Sequence, residues 1–400
     1  MDVSGSIARP SWNPLRCGGT ALPVPILLMA KLIALAFLLT NHVRLLPDPY
    51  LPFIPGLDTW VPGEWFQRVL QTVFLASAVV LLINHRVRTC CLLLGGTVLL
   101  SVVASRAYYG NNKTFCALAL ILAGLYTGGE PRLLRWQVAL VYFGAGLNKA
   151  LDPDWHSGQF FEHWASVRLE QPVYIWLSAM LPPLVMGKLM CWTTIALELS
   201  AAVMLSWPGF RLYGVCISIL LQSGFLLFTG QTFTMFFFGM QAAMLAFLPW
   251  PKSKMEVIFD GDCGFCDWCR EQISRLDLEN VFAWIPYQTG RGRAFGITDE
   301  MASARLQLIT VEGKVLSGFH AVRRMLVYLP VFWLALCALI AFAPAPIASL
   351  WRRTIVAGAL FFFSPLANPL GVAAYDFVAR NRHRIFPGRA CKLPNATASR

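Results

Sequence analysis

Three closely spaced cysteines are the residues whose types and spacing most directly suggest chemistry. Cys263, Cys266 and Cys269 lie in the segment FDGDCGFCDWC, which begins at Phe259. A predicted strand ends at Asp260 and a predicted helix begins near Cys263, where the helix amide groups and dipole would stabilise a thiolate. Cys266 lies one turn further on and could attack a mixed disulfide formed at Cys263. The spacing therefore predicts thiol–disulfide exchange, with Cys263 as an accessible nucleophile and Cys266 as the resolving thiol.

Metal-binding and purely structural cysteines are the alternatives for this segment. A bacterial ferredoxin pattern would continue with a cysteine and a proline where this sequence has Ile273 and Ser274. A zinc site could use all three cysteines, although no histidine or fourth cysteine lies nearby in the sequence. Structural cysteines remain the third alternative. We predict no metal, with Asp260, Asp262 and the third thiol, Cys269, as supporting residues of a redox site.

The composition indicates a membrane protein. Of the 400 residues, 56% are hydrophobic and 14% are charged, whereas an ordinary soluble domain is about 25% charged. One soluble core cannot bury so much apolar surface, so much of it must face lipid. The net charge of +12 comes from short basic clusters between apolar runs, which is typical of positive-inside loops. The expected partner is the lipid bilayer, and no nucleic acid partner is expected.

Apolar runs of about 20 residues, the length of a transmembrane helix, recur before residue 251. We predict about eight spans, and a ninth if the doubtful segment 171–187, which Pro182 and Pro183 interrupt, also crosses. Basic residues at 85–88 and 132–135 indicate cytoplasmic loops and place the amino terminus inside. The eight spans are 21–40, 69–85, 89–105, 114–129, 134–148, 189–207 and two helices within 212–251.

The character of the sequence changes at Lys252, where charges become evenly spaced. Runs at 255–260 and 281–286 predict buried strands around a helix at 264–276, and the turn at 312–313 predicts a hairpin followed by another helix. Two apolar stretches and a basic tail follow. The predicted division is an N-terminal segment (1–20), a transmembrane domain (21–250), a dithiol domain (251–328), apolar and membrane-associated helices (329–376) and the tail (377–400).

The dithiol segment resembles the DCC family of thiol-disulfide oxidoreductases. That family places Asp-Gly-x-Cys-x-x-Cys after a strand and has a second motif near its end. The resemblance implies a thioredoxin-like α/β domain, so the predicted fold class is a polytopic α-helical membrane protein with such a domain and C-terminal apolar helices. The matching positions, within about 255–394, are Asp260, Gly261, Cys263 and Cys266, then the run from Tyr375 to Phe386, with Cys391 and Pro394 beyond it.

Ionisable residues inside apolar spans are costly and are therefore candidates for function. Lys31, Lys149 and Glu198 are such residues. Lys31 could reach the interface or pair with Glu198, which itself needs a partner or a proton. The segment around Lys149 resembles the membrane module of the vitamin K-dependent gamma-carboxylase and its HTTM relatives, over about 25–250. The matching positions are Ala145, Gly146, Lys149, Asp154, Trp155 and Gly158.

The second resemblance implies a specific role for Lys149. In the carboxylase, the matching lysine is the base that deprotonates a quinol, so a lipid quinone or quinol becomes a candidate cofactor. A lysine can do this only if burial leaves its amine neutral, whereas the nearby Asp152 and Asp154 favour the ammonium form. A lysine that caps the C-terminal end of a helix at the interface is the alternative.

Three functions of different classes follow. The first is a membrane-anchored thiol-disulfide oxidoreductase that uses Cys263 and Cys266, with a protein thiol or a lipid quinone as redox partner. The second is a quinol-dependent, carboxylase-like membrane enzyme with Lys149 as base and the dithiol as reductant. The third is a non-enzymatic membrane scaffold. We expect the bacterial inner membrane, with the dithiol domain facing the cytoplasm if 171–187 does not span.

Overall fold

Internal contacts divide the chain into two units. The computed structural model describes residues 12–40, 42–43, 56, 59, 63–105, 108–229 and 234–385. One unit, the helical unit, comprises Met1–Leu248 and Cys337–Ala357. The other, the dithiol unit, comprises Pro249–Leu336 and Gly358–Arg400. The dithiol unit is therefore assembled from two stretches of sequence that an apolar segment separates.

Apolar runs form the helices of the helical unit, and each of the eight predicted spans corresponds to one of them. The doubtful segment 171–187 instead contains a helix of seven residues, far short of the roughly 20 that a span needs. The helices are α1 (Val24–Leu39), α2 (Gly63–Leu82), α3 (Val87–Ala104), α4 (Asn111–Gly124), α5 (Arg132–Leu151), α6 (Pro153–Ser157), α7 (Gln159–Glu162), a π-helix (His163–Arg168), α8 (Pro172–Ser178), α9 (Val185–Ser206), α10 (Arg211–Thr229) and α11 (Thr234–Ala243).

Length and apolar composition together select fewer membrane spans than the sequence predicts. Within the described residues, four helices are long and apolar enough to cross a membrane, or up to six if each of two bent helix pairs counts as one span. The helices Val24–Leu39 and Met235–Phe247 are apolar but shorter. Several apolar helices therefore support a membrane protein, while the count of eight to nine spans stays a prediction.

Glycines let two of these helices approach closely. An added Cβ at Gly95 of α3 would lie 2.6 Å from the carbonyl oxygen of Ala117 in α4. An added Cβ at Gly124 would lie equally close to the side chain of Leu92, at 2.6 Å. Small residues at such crossings are typical of helices packed in a membrane, where close approach of backbones replaces hydrophobic burial as the source of association.

The dithiol unit contains a four-stranded mixed sheet of β1 (Met255–Phe259), β2 (Phe282–Pro286), β3 (Gln307–Ile309) and β4 (Val315–Ser317), in the order β2-β1-β3-β4. Strands β1 and β2 are parallel, while β3 pairs antiparallel with both β1 and β4. The predicted helix at 264–276 is found at those residues, and the two strands of the predicted hairpin have three residues each. The elements are β1 (Met255–Phe259), α12 (Gly264–Leu276), β2 (Phe282–Pro286), α13 (Asp299–Ala304), β3 (Gln307–Ile309), β4 (Val315–Ser317) and α14 (Phe319–Val327).

Three further helices follow, and the last one belongs to the dithiol unit. They are α15 (Pro330–Ala341), α16 (Ala348–Phe363) and α17 (Asn368–Ile385). In α17, Tyr375 Oη accepts the Leu306 N–H at 3.0 Å, and Asp376 pairs with Arg305 at 2.5 Å. The predicted basic tail thus begins inside a docked helix, whereas Cys391 and Pro394 lie outside the described residues.

Candidate dithiol site

Cys263 occupies the position just before the first residue of α12 and caps that helix with its sulfur. Its backbone is extended, and its Sγ accepts the Cys266 N–H at 3.4 Å. Its carbonyl oxygen accepts the Asp267 N–H at 2.9 Å, which is a bond of the first helical turn. A sulfur at this position faces the unpaired amide groups and the positive end of the helix dipole, and both favour the thiolate over the thiol.

The two thiols of the Cys-x-x-Cys segment differ in exposure and in charge. Cys263 is completely buried, with 0% exposure, while Cys266 is half-buried. The expectation of an accessible sulfur at Cys263 is therefore wrong for this structure, because the sulfur turns inward to accept the Cys266 amide. A hydrogen bond with Cys263, then burial and the charge of Cys263, raise the pKa of the Cys266 thiol. Cys266 thus holds the proton beside Cys263.

The turn between β1 and α12 is held by the Asp260 carboxylate. One oxygen, Oδ1, accepts the Asp262 N–H at 3.1 Å and the Gln288 side-chain amide at 3.2 Å. The turn also needs a residue without a side chain, because an added Cβ at Gly261 would lie 2.9 Å from Pro286 Cβ. The Asp-Gly pair of the motif therefore fixes the backbone that presents Cys263, while the Asp262 side chain itself is exposed.

Arg382 of α17 completes the site from far along the sequence. Its Nη1 donates to Cys266 Sγ at 3.7 Å, and its Nη2 donates to the Ser303 carbonyl oxygen at 2.9 Å. The same Nη2 lies 3.4 Å from Asp260 Oδ2, and both side chains are largely buried. The sequence signal for this residue was the second family motif, but the motif alone does not indicate which of its arginines reaches the thiols.

Cys269, the third clustered cysteine, lies on α12 with Cys266, and the three thiols are the candidates for a metal site. Burial raises the pKa of Cys269 to about 11, so this thiol stays protonated near neutral pH. Within the described residues, no group of three or more His, Cys, Asp or Glu side chains is arranged to hold a metal ion. The three cysteines therefore do not form a ligand set in this structure.

A second constellation lies in the helical unit, where Lys149 of α5 meets Glu198 of α9. Lys149 Nζ lies 2.9 Å and 2.8 Å from the two carboxylate oxygens of Glu198. The glutamate side chain is 6% exposed and the lysine 21%. Lys149 Nζ also donates to the Ala145 carbonyl oxygen and lies 5.2 Å from the centre of the Trp155 ring. This geometry is that of an ammonium–carboxylate pair.

Close contacts explain why two positions of the Lys149 segment, Gly146 and Gly158, are glycines. An added Cβ at Gly146 would lie 2.9 Å from Leu199 and 3.3 Å from Glu198 Cβ, so this glycine lets α5 and α9 approach until the ion pair can form. Gly158 has φ +82° and would place a Cβ 2.4 Å from the Lys188 backbone nitrogen. Both positions exclude larger residues.

Lys31 and Glu198 do not meet, although the sequence left that pairing open. The Lys31 side chain is completely buried, and its Nζ donates to the carbonyl oxygens of Pro14 and Arg16 at 2.7 Å each. Charge-assisted bonds to backbone carbonyls compensate for the burial of an ammonium group. Glu198 instead takes Lys149 as its partner.

Apolar helices joined to a thiol-bearing α/β unit define the class as membrane proteins with a redox-type domain. A family model for DCC1-like thiol-disulfide oxidoreductases matches residues 257–357, and a model for the HTTM domain matches residues 130–250. The chain therefore joins a region that matches the HTTM domain to a region that matches DCC1-like thiol-disulfide oxidoreductases. No curated protein and no solved structure matches the chain significantly.

The two matches cover different parts of the constellations described above. The first contains Asp260 and all three clustered cysteines but ends before Arg382. The second contains Lys149 and Glu198. Together they support a membrane protein of redox type.

Proposed function

We propose that the protein is a membrane-anchored thiol-disulfide oxidoreductase in which Cys263 is the nucleophile and Cys266 the resolving thiol. The observation that carries the proposal is the capping geometry, in which Cys263 Sγ accepts an amide N–H at the start of α12 and Cys266 is its hydrogen-bonded neighbour. An inert pair of structural cysteines would not require one sulfur at the positive end of a helix. Because Cys263 is buried, its reaction with a partner requires a local opening of the site.

The proposed reaction is a two-step exchange. The Cys263 thiolate attacks one sulfur of a partner disulfide, forms a mixed disulfide and releases the other sulfur as a thiolate. Cys266 then loses its proton and attacks Cys263 Sγ, which closes the Cys263–Cys266 disulfide and releases the second sulfur of the partner. The partner disulfide is reduced by two electrons and the dithiol is oxidised by two, and the reverse sequence oxidises a partner dithiol.

Trapping the intermediate tests this proposal. Cys266→Ser removes the resolving thiol, so membranes that carry this variant should show a higher-mass adduct on non-reducing gels. The matched variant Cys263→Ser should lack the adduct, and a reductant should abolish it. Absence of an adduct from Cys266→Ser, or an equal adduct in both variants, would contradict the proposed roles.

We also propose a thioredoxin-like fold for the dithiol unit and a cytoplasmic orientation for it in a bacterial inner membrane. The parallel β1-α12-β2 unit, followed by the antiparallel hairpin and α14, supports the fold. The short α8 supports the orientation, because without a span at 171–187 the proposed eight spans return the chain to the side of its amino terminus. The proposed partners are a protein thiol or a lipid quinone.

We also propose a second candidate function, that of a quinol-dependent membrane enzyme with Lys149 as its base. It rests on the Lys149–Glu198 pair within the HTTM match. Both carboxylate oxygens of Glu198 lie within 2.9 Å of Lys149 Nζ, so the carboxylate could accept the ammonium proton and leave an amine base for a quinol. Lys149→Arg separates this role from a structural one, because a guanidinium preserves the charge but stays protonated at any working pH. Full complementation of a deletion phenotype by Lys149→Arg would contradict a base at this position.

A further inference from the structure

Arg382 lies against the sulfur that the proposed function assigns to the resolving step. Resting on that function, we propose that Arg382 is a catalytic residue of the second step: its guanidinium stabilises the Cys266 thiolate that attacks the mixed disulfide. This role belongs to no residue of the Cys-x-x-Cys segment itself. It makes α17, which follows the apolar helices in the sequence, part of the reaction centre.

The geometry gives Arg382 a fixed position and a direct line to the sulfur. Nη2 is anchored by the Ser303 carbonyl oxygen at 2.9 Å and by Asp260 Oδ2 at 3.4 Å. Nη1 is left directed at Cys266 Sγ, 3.7 Å away. The side chain is 14% exposed, so solvent screens the guanidinium little and its effect on a neighbouring charge is strong.

The helix that carries Arg382 is itself held in place. Tyr375 Oη accepts the Leu306 N–H, and Asp376 pairs with Arg305, so two contacts one to two turns before Arg382 fix α17 on the dithiol unit. A guanidinium on a docked helix is preorganised, whereas one on a loose tail would need to be ordered in every cycle.

The groups around Cys266 explain why the second step needs a cation. Cys263 and Asp260 raise the pKa of Cys266, while Arg382 lowers it, and Tyr375 also interacts electrostatically with the thiol. In the dithiol form Cys263 dominates, and Cys266 keeps its proton. Once Cys263 is bound to a partner sulfur, it carries no negative charge. Burial and the Asp260 carboxylate still disfavour the Cys266 thiolate, and the Arg382 guanidinium opposes them by stabilising that thiolate.

In the second step, atoms and electrons balance as they do in the proposed exchange. The Cys266 proton passes to solvent or to the departing thiolate, the Cys266–Cys263 bond forms, and the bond between Cys263 and the partner sulfur breaks. Arg382 keeps its proton throughout. It contributes charge and orientation, and no additional oxidant or reductant is needed.

Time-resolved reaction with oxidised glutathione separates the two steps. Reduced full-length protein is mixed with oxidised glutathione, quenched with acid and digested, and mass spectrometry follows glutathionylated Cys263 and the Cys263–Cys266 disulfide. The variants are Arg382→Gln, which removes the charge, and Arg382→Lys, which keeps it. Arg380→Gln is the matched control, because Arg380 lies on the same helix and is exposed.

We expect Arg382→Gln to accumulate the glutathione adduct and to close the disulfide roughly threefold to tenfold more slowly at pH 7. Each unit by which the pKa of Cys266 rises lowers its thiolate population about tenfold, while the nucleophilicity of the remaining thiolate rises only about threefold. The difference should therefore close as the pH rises above the pKa of Cys266. Arg382→Lys should keep most of the rate, and Arg380→Gln should match the wild type.

Three outcomes would overturn the inference. Disulfide closure at the wild-type rate in Arg382→Gln would remove the charge effect. A slowdown of both steps that persists at high pH would assign Arg382 a structural role. If the wild type forms neither the adduct nor the disulfide, the proposed function fails first, and the role of Arg382 fails with it.

Discussion

Cys263, Cys266 and Cys269 lie three residues apart but occupy different environments. Cys263 is buried and its sulfur accepts the Cys266 N–H, Cys266 is hydrogen-bonded to Cys263 and lies beside Arg382, and burial desolvates Cys269. Helix geometry made the first two assignments predictable, because a cysteine just before a helix meets free amide groups. The burial of Cys263 and the guanidinium beside Cys266 depend on tertiary packing and could not be read from the spacing.

Cys269 provides the first prediction at the scale of single residues. Because its pKa is raised to about 11, its thiolate is scarce at pH 7 and grows tenfold with each pH unit up to that value. We expect Cys269→Ser to close the Cys263–Cys266 disulfide at a rate within about twofold of the wild type. Peptide mapping after oxidation by glutathione measures this rate. Loss of the disulfide in Cys269→Ser would make the third thiol a participant.

The Lys149–Glu198 pair provides the second prediction. Lys149→Met leaves a buried carboxylate without its cation, so the helical unit should lose about 3–5 kcal/mol of stability. Lys149→Met combined with Glu198→Leu should recover much of that loss, as thermal unfolding in detergent can measure.

The exposed pair Glu64–Arg68 serves as the control for this cycle, since its side chains are 80% and 72% exposed. Replacing both with alanine should change stability by less than about 1 kcal/mol. If Lys149→Met is as mild as that control, the ion pair is not a significant element of the fold.

Local pattern accounts for the elements that are close in sequence. The predicted helix at 264–276 and the strands on either side of it follow from amphipathic spacing and short apolar runs, and they are found where predicted. The docking of α17 is different, because Arg382 contacts groups 116 and 122 positions earlier in the chain. Apolar helices intervene, so sequence separation hides the contact, and the basic residues resemble a tail.

The packing of α17 against α14 gives a prediction at the scale of elements. An added Cβ at Gly371 would lie 2.4 Å from atoms of the Phe319 ring, so Gly371→Ala must displace the ring or the helix. We expect this variant to expose the dithiol and to speed the alkylation of Cys266 by iodoacetamide. Gly358→Ala is the matched control, because an added Cβ there meets nothing within 4 Å. Equal alkylation rates in the two variants would show that α17 does not cover the site.

In the whole molecule, the dithiol unit is completed by residues that follow an apolar segment in the sequence. Its two stretches, Pro249–Leu336 and Gly358–Arg400, flank a segment that belongs to the helical unit. Composition and hydropathy predicted a membrane protein with a separate α/β unit. They could not predict that the last helix returns to that unit, because its basic, half-exposed surface carries no periodic signal for a partner.

Membrane topology gives the last of the structural predictions. The proposed topology, with eight spans and none at α8, puts the dithiol unit and the loop after α4 on the cytoplasmic side and the segment around α7 on the opposite side. Thr127→Cys and Gln159→Cys place exposed reporters in these two regions. A membrane-impermeant maleimide should label Cys266 and position 127 in inverted vesicles and position 159 in right-side-out vesicles. Labelling of positions 127 and 159 from the same side would contradict this topology.

A redox titration of the full-length protein tests most directly whether Cys263 and Cys266 form a reversible dithiol–disulfide couple. Purified protein is equilibrated with buffers of reduced and oxidised glutathione and trapped by alkylation, and the linkage of each clustered cysteine is determined by mass spectrometry. We expect one reversible two-electron transition between the dithiol and a Cys263–Cys266 disulfide, with Cys269 reduced throughout. Cysteines 263 and 266 that stay reduced at every ratio, or a disulfide that forms only with Cys269, would contradict it.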